Sequence, residues 1–216
     1  MKPWRILGLT LMLLLGAGLA ATYEHLIGSG RLRPAASVLP AQSAVDVGFA
    51  QFMGSHHDQA VVMTQILLDH GTSKLGGLAR SIQTAQLIEI GEMKGWLLLW
   101  GQPLLPATRS MDWMLLGKAP PDAELARYLL DCQSAAGGMP GLATSEELNR
   151  LRALDGDERD RLFLELMIRH HQGALPMAHF AARNAQLAAV RSLAAQMLFQ
   201  QTEELSVMSL LLRARR

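Results

Sequence analysis

The sequence predicts an all-α protein: a ferritin-like four-helix bundle built from two duplicated helical hairpins joined by a long crossover. Three observations carry this expectation. Phe52 to Met63 reads Phe-Met-Gly-Ser-His-His-Asp-Gln-Ala-Val-Val-Met, and Leu166 to Met177 reads Leu-Met-Ile-Arg-His-His-Gln-Gly-Ala-Leu-Pro-Met. Met53, His56, His57, Ala60 and Met63 therefore recur at a constant offset as Met167, His170, His171, Ala174 and Met177. The repeat continues downstream, where Leu78-Ala79, Gln86, Glu89, Ile90 and Met93 return as Leu193-Ala194, Gln201, Glu204, Leu205 and Met208, with the offset one residue longer. A length change in a connecting turn accounts for that shift. Finally, apolar residues recur every three or four positions through long stretches bounded by Gly, Pro and Asn, the period of helices.

Taken in order, residues 1–22 form an export leader. Lys2 and Arg5 precede an apolar run from Ile6 to about Ala21, the layout of a signal peptide or of a signal anchor retained in the membrane. Both outcomes place the body outside the cytoplasm, membrane-anchored or secreted. Residues 23–43 are rich in Gly, Pro, Ser and Ala without periodicity and read as a flexible tether. The first hairpin repeat spans 44–101. Its first helix starts at Ser43 and Asp46 and runs to His70, where Gly71 supplies a stop. Its second helix is capped by Thr72 or Ser73 and runs to Trp100, ended by Gly101 and Pro103. The crossover spans 102–156 and is broken by Pro and Gly into short pieces. Helices are expected there near Asp122 to Ser134 and Ser145 to Leu154, the latter opened by a Thr144/Glu147 capping box. The second hairpin spans 157–216, with a helix capped by Asp157 that ends near Asn184 and another from about Leu187 to Leu212. Pro176 lies inside the first of these and predicts a kink beside Met177.

Composition narrows the function. A formal charge of +1 over 216 residues leaves no footprint for nucleic acid. The arginines near the C-terminus suit the negative end of a helix dipole. Cys132 is the only cysteine, so neither an intramolecular disulfide nor a zinc–cysteine framework can form, and it reads as a small buried hydrophobe.

The repeated cluster carries the chemistry. A helix turns about 100° per residue, so Met53, His56, His57 and Met63 share one arc of about 120°, and the repeat copies that arc as Met167, His170, His171 and Met177. Gln86, Glu89 and Met93 form a stripe on the second helix, as do Gln201, Glu204 and Met208 on the fourth. If the stripes face inward, each hairpin offers thioethers and imidazoles with a carboxylate opposite. Thioether is a soft donor and imidazole a borderline one, so the set favours Cu(I), with Ag(I) as a mimic, over Mg, Ca or Mn. Methionine alone is ordinary core filler. Paired histidines on an apolar face are not, because burying unpartnered imidazoles is costly. His25, His70 and His179 read as structural, as do the linker residues Met111, Trp113, Met114 and Met139.

The strings Met167 to Ala178 and Gln86-x-x-Glu89-Ile90-x-x-Met93-x-x-Trp96-Leu97 resemble the signature of the domain of unknown function 305 family, over about Val45 to Leu212 as two copies of the unit. That resemblance implies a ferritin-like helical fold, export and, as in CopM-type members, copper binding. By position it implicates Met53, His56, His57, Met63, Met93, Met167, His170, His171, Met177 and Met208 as metal ligands. Dense methionine runs outside the repeats are missing, which argues against high-capacity storage.

The leading expectation is a non-enzymatic exported protein that binds copper in metal tolerance or handover. A ferritin-like di-metal oxidase is the alternative, although neither Glu89 nor Glu204 opens a Glu-x-x-His pair. A metal-free interaction bundle is another. Partners are the metal ion, the membrane if the leader is uncleaved, and a second copy of the chain if it oligomerises. Each hairpin is expected to hold its own independent ligand set.

Overall fold

A computed structural model describes residues 41–69 and 73–215. The leader, most of the tether, His25 and His70 lie outside the described residues. Every regular element among the described residues is helical, as the periodicity requires. Six α-helices follow in order: α1 Ala44–Asp69, α2 Gly76–Leu99, α3 Ala123–Ser134, α4 Ser145–Ala153, α5 Gly156–Asn184 and α6 Ala188–Arg213. Short 3-10 turns lie at Asp112–Leu115 and Ala136–Gly138.

Local sequence sets the ends. Ser43 and Asp46 exchange hydrogen bonds at the start of α1, with Asp46 Oδ2 accepting from Ser43 N at 2.7 Å and Ser43 Oγ accepting from Asp46 N at 3.2 Å. The buried Asp46 carboxylate also accepts from Gln186 N at 3.3 Å and Leu187 N at 3.0 Å, so it ties the start of α1 to the turn that opens α6. At the end of α2, Gly101 takes a positive φ of 64°, and Gln102 N reaches back to Leu97 O at 2.8 Å. This closes the helix as a glycine C-cap does. The Thr144/Glu147 capping box opens α4.

Two expected starts move. Helix α2 begins at Gly76 after Leu75, because Ser73 instead accepts from Leu75 N at 2.9 Å and donates to Asp160 at 2.5 Å. Helix α5 is entered at Asp155, with Gly156 at φ 53°, which leaves Asp157 in the first turn and not at the cap. Helical structure continues through Pro176.

Helices α1 and α2 run antiparallel, as His57–Glu89 and Gln65–Gln83 contacts show. The pairs His171–Glu204 and Asp160–Arg215 give α5 and α6 the same relation. Between the hairpins, α1 packs along α5. Asp46 meets Leu187 and Ser73 meets Asp160, so this pair is antiparallel too. Helices α1 and α5 thus form the middle of the structure, with α2 and α6 on either side.

The crossover packs against this core. Trp113 meets Phe49, Phe52 and Phe180 at ring-centroid distances of 6.4, 6.4 and 5.5 Å. A Cβ at Gly48 would lie 2.4 Å from Trp113 Cγ, so only glycine lets the indole sit so close. Met111, Met114 and Met139 are buried in the same cluster, as packing residues should be. Cys132 is buried as well, and burial pushes its thiol up to about 11.

Candidate metal centre

The antiparallel crossing of α1 and α5 brings the two His-His pairs together. The rings of His56 and His170 lie with centroids 3.9 Å apart, tilted by 40°, and those of His170 and His171 lie 6.1 Å apart. All four rings are at most 1% exposed. They form one layer across the middle of the protein, in the order His57, His56, His170, His171.

Each ring is held through Nε2. His57 donates to Glu89 Oε2 at 2.7 Å, and His171 donates to Glu204 Oε2 at 2.6 Å. His170 Nε2–H donates to the backbone carbonyl of His56 at 2.9 Å. His56 Nε2–H faces the carbonyl of Pro140 at 3.3 Å. Carbonyl and carboxylate oxygens only accept, so the proton of each neutral ring sits on Nε2. The Nδ1 lone pairs are left over. All four Nδ1 atoms are buried without a hydrogen-bond partner. An orphaned buried acceptor costs about 1–3 kcal/mol, and four of them in one layer is a pattern that metal coordination would relieve.

Electrostatics keep the central pair in the donor form. Burial, reinforced by the neighbouring His57, lowers His56 from 6.5 to about 3 despite the opposing Pro140 bond. Burial and the adjacent His56 push His170 well below its ordinary value. A neutral imidazole can bind a metal ion, whereas a protonated one cannot.

The methionines lie above and below this layer. Met53 is four residues before His57, and Met93 is four residues after Glu89 on the antiparallel neighbour. The His57–Glu89 bond therefore puts both at one level, about 6 Å along the axis at 1.5 Å per residue. The same count from His171–Glu204 puts Met167 and Met208 at one level, on the opposite side of the layer. Met177 belongs to the cluster that contains Met53 and Met93, and Met63 to the one that contains Met167 and Met208. All six thioethers are fully buried.

Every sequence-predicted ligand is thus inside. The two sets expected to be independent lie side by side, because α1 and α5 are neighbours: the histidines form one layer, and Met63 and Met177 each pack with the other hairpin's methionines. His179, read as structural, is exposed. Among the described residues no three His, Cys, Asp or Glu side chains form a ready ligand group.

Sequence reading missed the segment that closes the layer. Pro140 and Gly141 press on α5, where a Cβ at Gly173 would lie 2.0 Å from Pro140 O, and one at Gly141 would lie 2.5 Å from Arg169 O. Gln59 fastens this segment through bonds to Ala143 O at 2.9 Å and from Ala143 N at 2.6 Å. Tyr128 donates to Gly173 O at 3.0 Å from the other side. The only sequence signal was a Gly-Gly-Met-Pro-Gly run, which reads as an ordinary break.

Fold and site together define an all-α protein with a duplicated His/Met interior. The chain belongs to DUF305, a domain of unknown function, whose family model matches residues 46–212. A DUF305 protein of Streptomyces coelicolor, described as a candidate secreted protein, is 32% identical with a TM-score of 0.67, covering 79% of this chain and 93% of that one. A DUF305 fragment from Deinococcus radiodurans is 29% identical at TM-score 0.61, covering 81% and 99%. CopM in its Cu(I)-bound form is 26% identical at TM-score 0.54, covering 78% and 96%. Its Ag-bound form, over the same shares, gives 25% and 0.53. A comparison with curated proteins found no match.

Proposed function

We propose that this protein binds monovalent copper outside the cytoplasm, without catalysing a reaction, in metal tolerance or handover. One observation carries the reading: four imidazoles with buried, unpartnered Nδ1 atoms lie in a layer bounded on both sides by buried thioethers. Imidazole plus thioether without thiolate suits Cu(I) and Ag(I). Glu89 and Glu204 act behind the histidines, fixing the tautomer and orientation of ligands as second carboxylates do in metal sites. The apolar leader and the similarity to a candidate secreted relative support an extracytoplasmic location. So does the similarity to CopM for copper. A di-metal oxidase is less well supported, because both carboxylates are occupied by imidazole N–H groups and not paired as Glu-x-x-His.

The test is an anaerobic titration with Cu(I), Ag(I), Cu(II) and Zn(II), comparing wild type with a Met53→Leu/Met63→Leu/Met167→Leu/Met177→Leu variant. Leucine keeps volume and apolarity, so the fold should lose less than about 1.5 kcal/mol per site. Affinity for the monovalent ions should fall by more than about tenfold, and that for the divalent ions by less. Equal Cu(I) affinity in both proteins would show that the methionines are only packing.

A further inference from the structure

The histidine layer is closed. All four imidazoles are at most 1% exposed and the six thioethers around them are fully buried, so a metal ion reaches them only when part of the cover moves. Three of the four ring contacts are made by helices: Glu89 on α2, Glu204 on α6 and the His56 carbonyl on α1. These helices are tied down. Asp46 joins α1 to Gln186 and Leu187, Asp160 joins α5 to Ser73 and Arg215, and Lys94 joins α2 to Asp58 on α1. The fourth contact is of another kind. It comes from Pro140, in the stretch 139–144 that carries no regular structure.

This stretch can part from α5 at low cost. Gly137, Gly138 and Gly141 hold positive φ values of 71°, 78° and 89°, and residues without a Cβ change their backbone angles most freely. Pro140 and Gly141 lie on Gly173 backbone against backbone, a smooth contact that separates without unlocking side chains. Pro140 holds the layer through one bond of 3.3 Å, beyond the usual range. Downstream, Gln59 is the latch, donating to Ala143 O at 2.9 Å and accepting from Ala143 N at 2.6 Å. Past the latch the chain is fixed again, by the Thr144 cap of α4 and by the Glu147–Arg169 pair that joins α4 to α5. Upstream, Gly138 N reaches Ala135 O at 3.0 Å, and a Cβ on Gly138 would lie 2.6 Å from Arg109 O, so the pivot is firmly seated. A depression of about 470 Å³ lined by Met111, Cys132, Ala135 and Gly138, among others, lies beside it. Opening has to withdraw the buried Met139 side chain, which makes the open form a minor state, as local opening of a packed segment is.

The other way in would be past the ends of the row, where the Glu89 and Glu204 side chains are 7% and 14% exposed. There an ion meets imidazole–carboxylate bonds of 2.7 and 2.6 Å held between helices. Bonds to a charged acceptor are stronger than the long one to Pro140. We propose that the strap 137–143 is the gate through which a metal ion enters and leaves the histidine layer, turning about Gly137 and Gly138 and latched by Gln59. The proposal rests on the metal-binding reading of the layer.

The test compares the full chain with three variants. Gln59→Leu removes both latch bonds, and Gly173→Ala wedges Pro140 off α5. Gln51→Leu is the control, because it removes a bond from α1 to a different loop, at Pro103 O. In the metal-free protein, hydrogen exchange at 138–143 and carbethoxylation of His56 by diethyl pyrocarbonate should quicken by about tenfold or more in Gln59→Leu, the worth of two hydrogen bonds. Both should also quicken in Gly173→Ala and match wild type in Gln51→Leu. Uptake of Ag(I) after rapid mixing should follow the same order. Exchange that rises equally along α1 and α5 would mean general loosening, and labelling that appears first at His57 or His171 would place entry at the carboxylate ends. Either result overturns the proposal. Ag(I) uptake at one rate in all four proteins, with equilibrium binding intact, overturns the gate alone. A wild-type chain that binds no Ag(I) at equilibrium overturns the metal-binding reading, and the metal gate with it.

Discussion

Acidifying the metal-free protein from pH 7 to pH 5.5 should destabilise it by about 2–3 kcal/mol through His56 and His170 alone. The unfolded chain titrates each histidine near 6.5, whereas in the folded protein His56 is held down to about 3 and His170 well below its ordinary value, chiefly by burial. Below 6.5 the unfolded state binds protons that the folded state refuses, so stability falls as pH falls. Over this interval each histidine contributes about 1 kcal/mol or slightly more, which for a domain of this size lowers Tm by about 5–10 °C in total. Glu147 does not interfere. The Arg169 guanidinium holds its carboxyl at about 2, so its contribution is lost only below the ordinary value of 4.5. Thermal unfolding of the apo chain at pH 7.0, 6.5, 6.0 and 5.5 measures the slope, and a His56→Gln/His170→Gln variant should flatten it. A slope equal in wild type and variant would refute the assignment of buried neutral imidazoles. The same depression moves proton competition for a metal ion at His56 far below the 6.5 of a free ring.

Glu89→Ala removes the acceptor of the His57 Nε2–H bond, so metal affinity should drop by about 10–100-fold although every proposed ligand remains; competition titration against a Cu(I) chelator reads this, and an unchanged affinity would remove Glu89 from the site. Gly173→Ala places a methyl 2.0 Å from Pro140 O, so the 139–141 segment must lift and stability should fall by about 1–3 kcal/mol, measured by urea unfolding. The double variants His56→Ala/His57→Ala and His170→Ala/His171→Ala, with their quadruple combination, form a cycle in binding free energy. One shared layer predicts a coupling of at least about 0.5 kcal/mol, and additivity within that margin would restore two independent sites.

The helices and the buried faces were legible because a 3.6-residue period and a repeated motif are local properties of the chain. Met53, His56, His57 and Met63 share an arc whatever the partner helix is. The opposition of Glu89 to His57 was legible as well, from the stripe on the second helix and the short turn that makes the hairpin antiparallel. What the repeat left open was which long helices become neighbours. That choice depends on packing between residues more than a hundred positions apart, such as Asp46 with Leu187 and His56 with His170, and no local pattern encodes it. Proline and glycine gave the boundaries of the crossover but not its role. The close approach of Pro140 to Gly173 is a tertiary fact.

The crossover also explains why the two halves, nearly identical in their ligands, do not carry equivalent histidines. A duplicated hairpin packed on its copy would place His56 and His170 in matching surroundings. Only one copy of the crossover exists, and it lies on one side. Its Pro140 carbonyl faces His56 at 3.3 Å. His170 lacks that partner and turns to the His56 carbonyl at 2.9 Å. Gly173 stands where the first repeat has Gln59, and this difference makes the asymmetry self-consistent: glycine admits the 140–141 backbone onto α5, while Gln59 supplies the amide that fastens the same segment through Ala143. Each half has therefore kept the ligands and diverged in the residues that position one linker. The His56 ring donates to Pro140 O and the His170 ring to the backbone carbonyl of His56, so a shift of the 139–141 segment reaches His56 directly and α5 through Gly173.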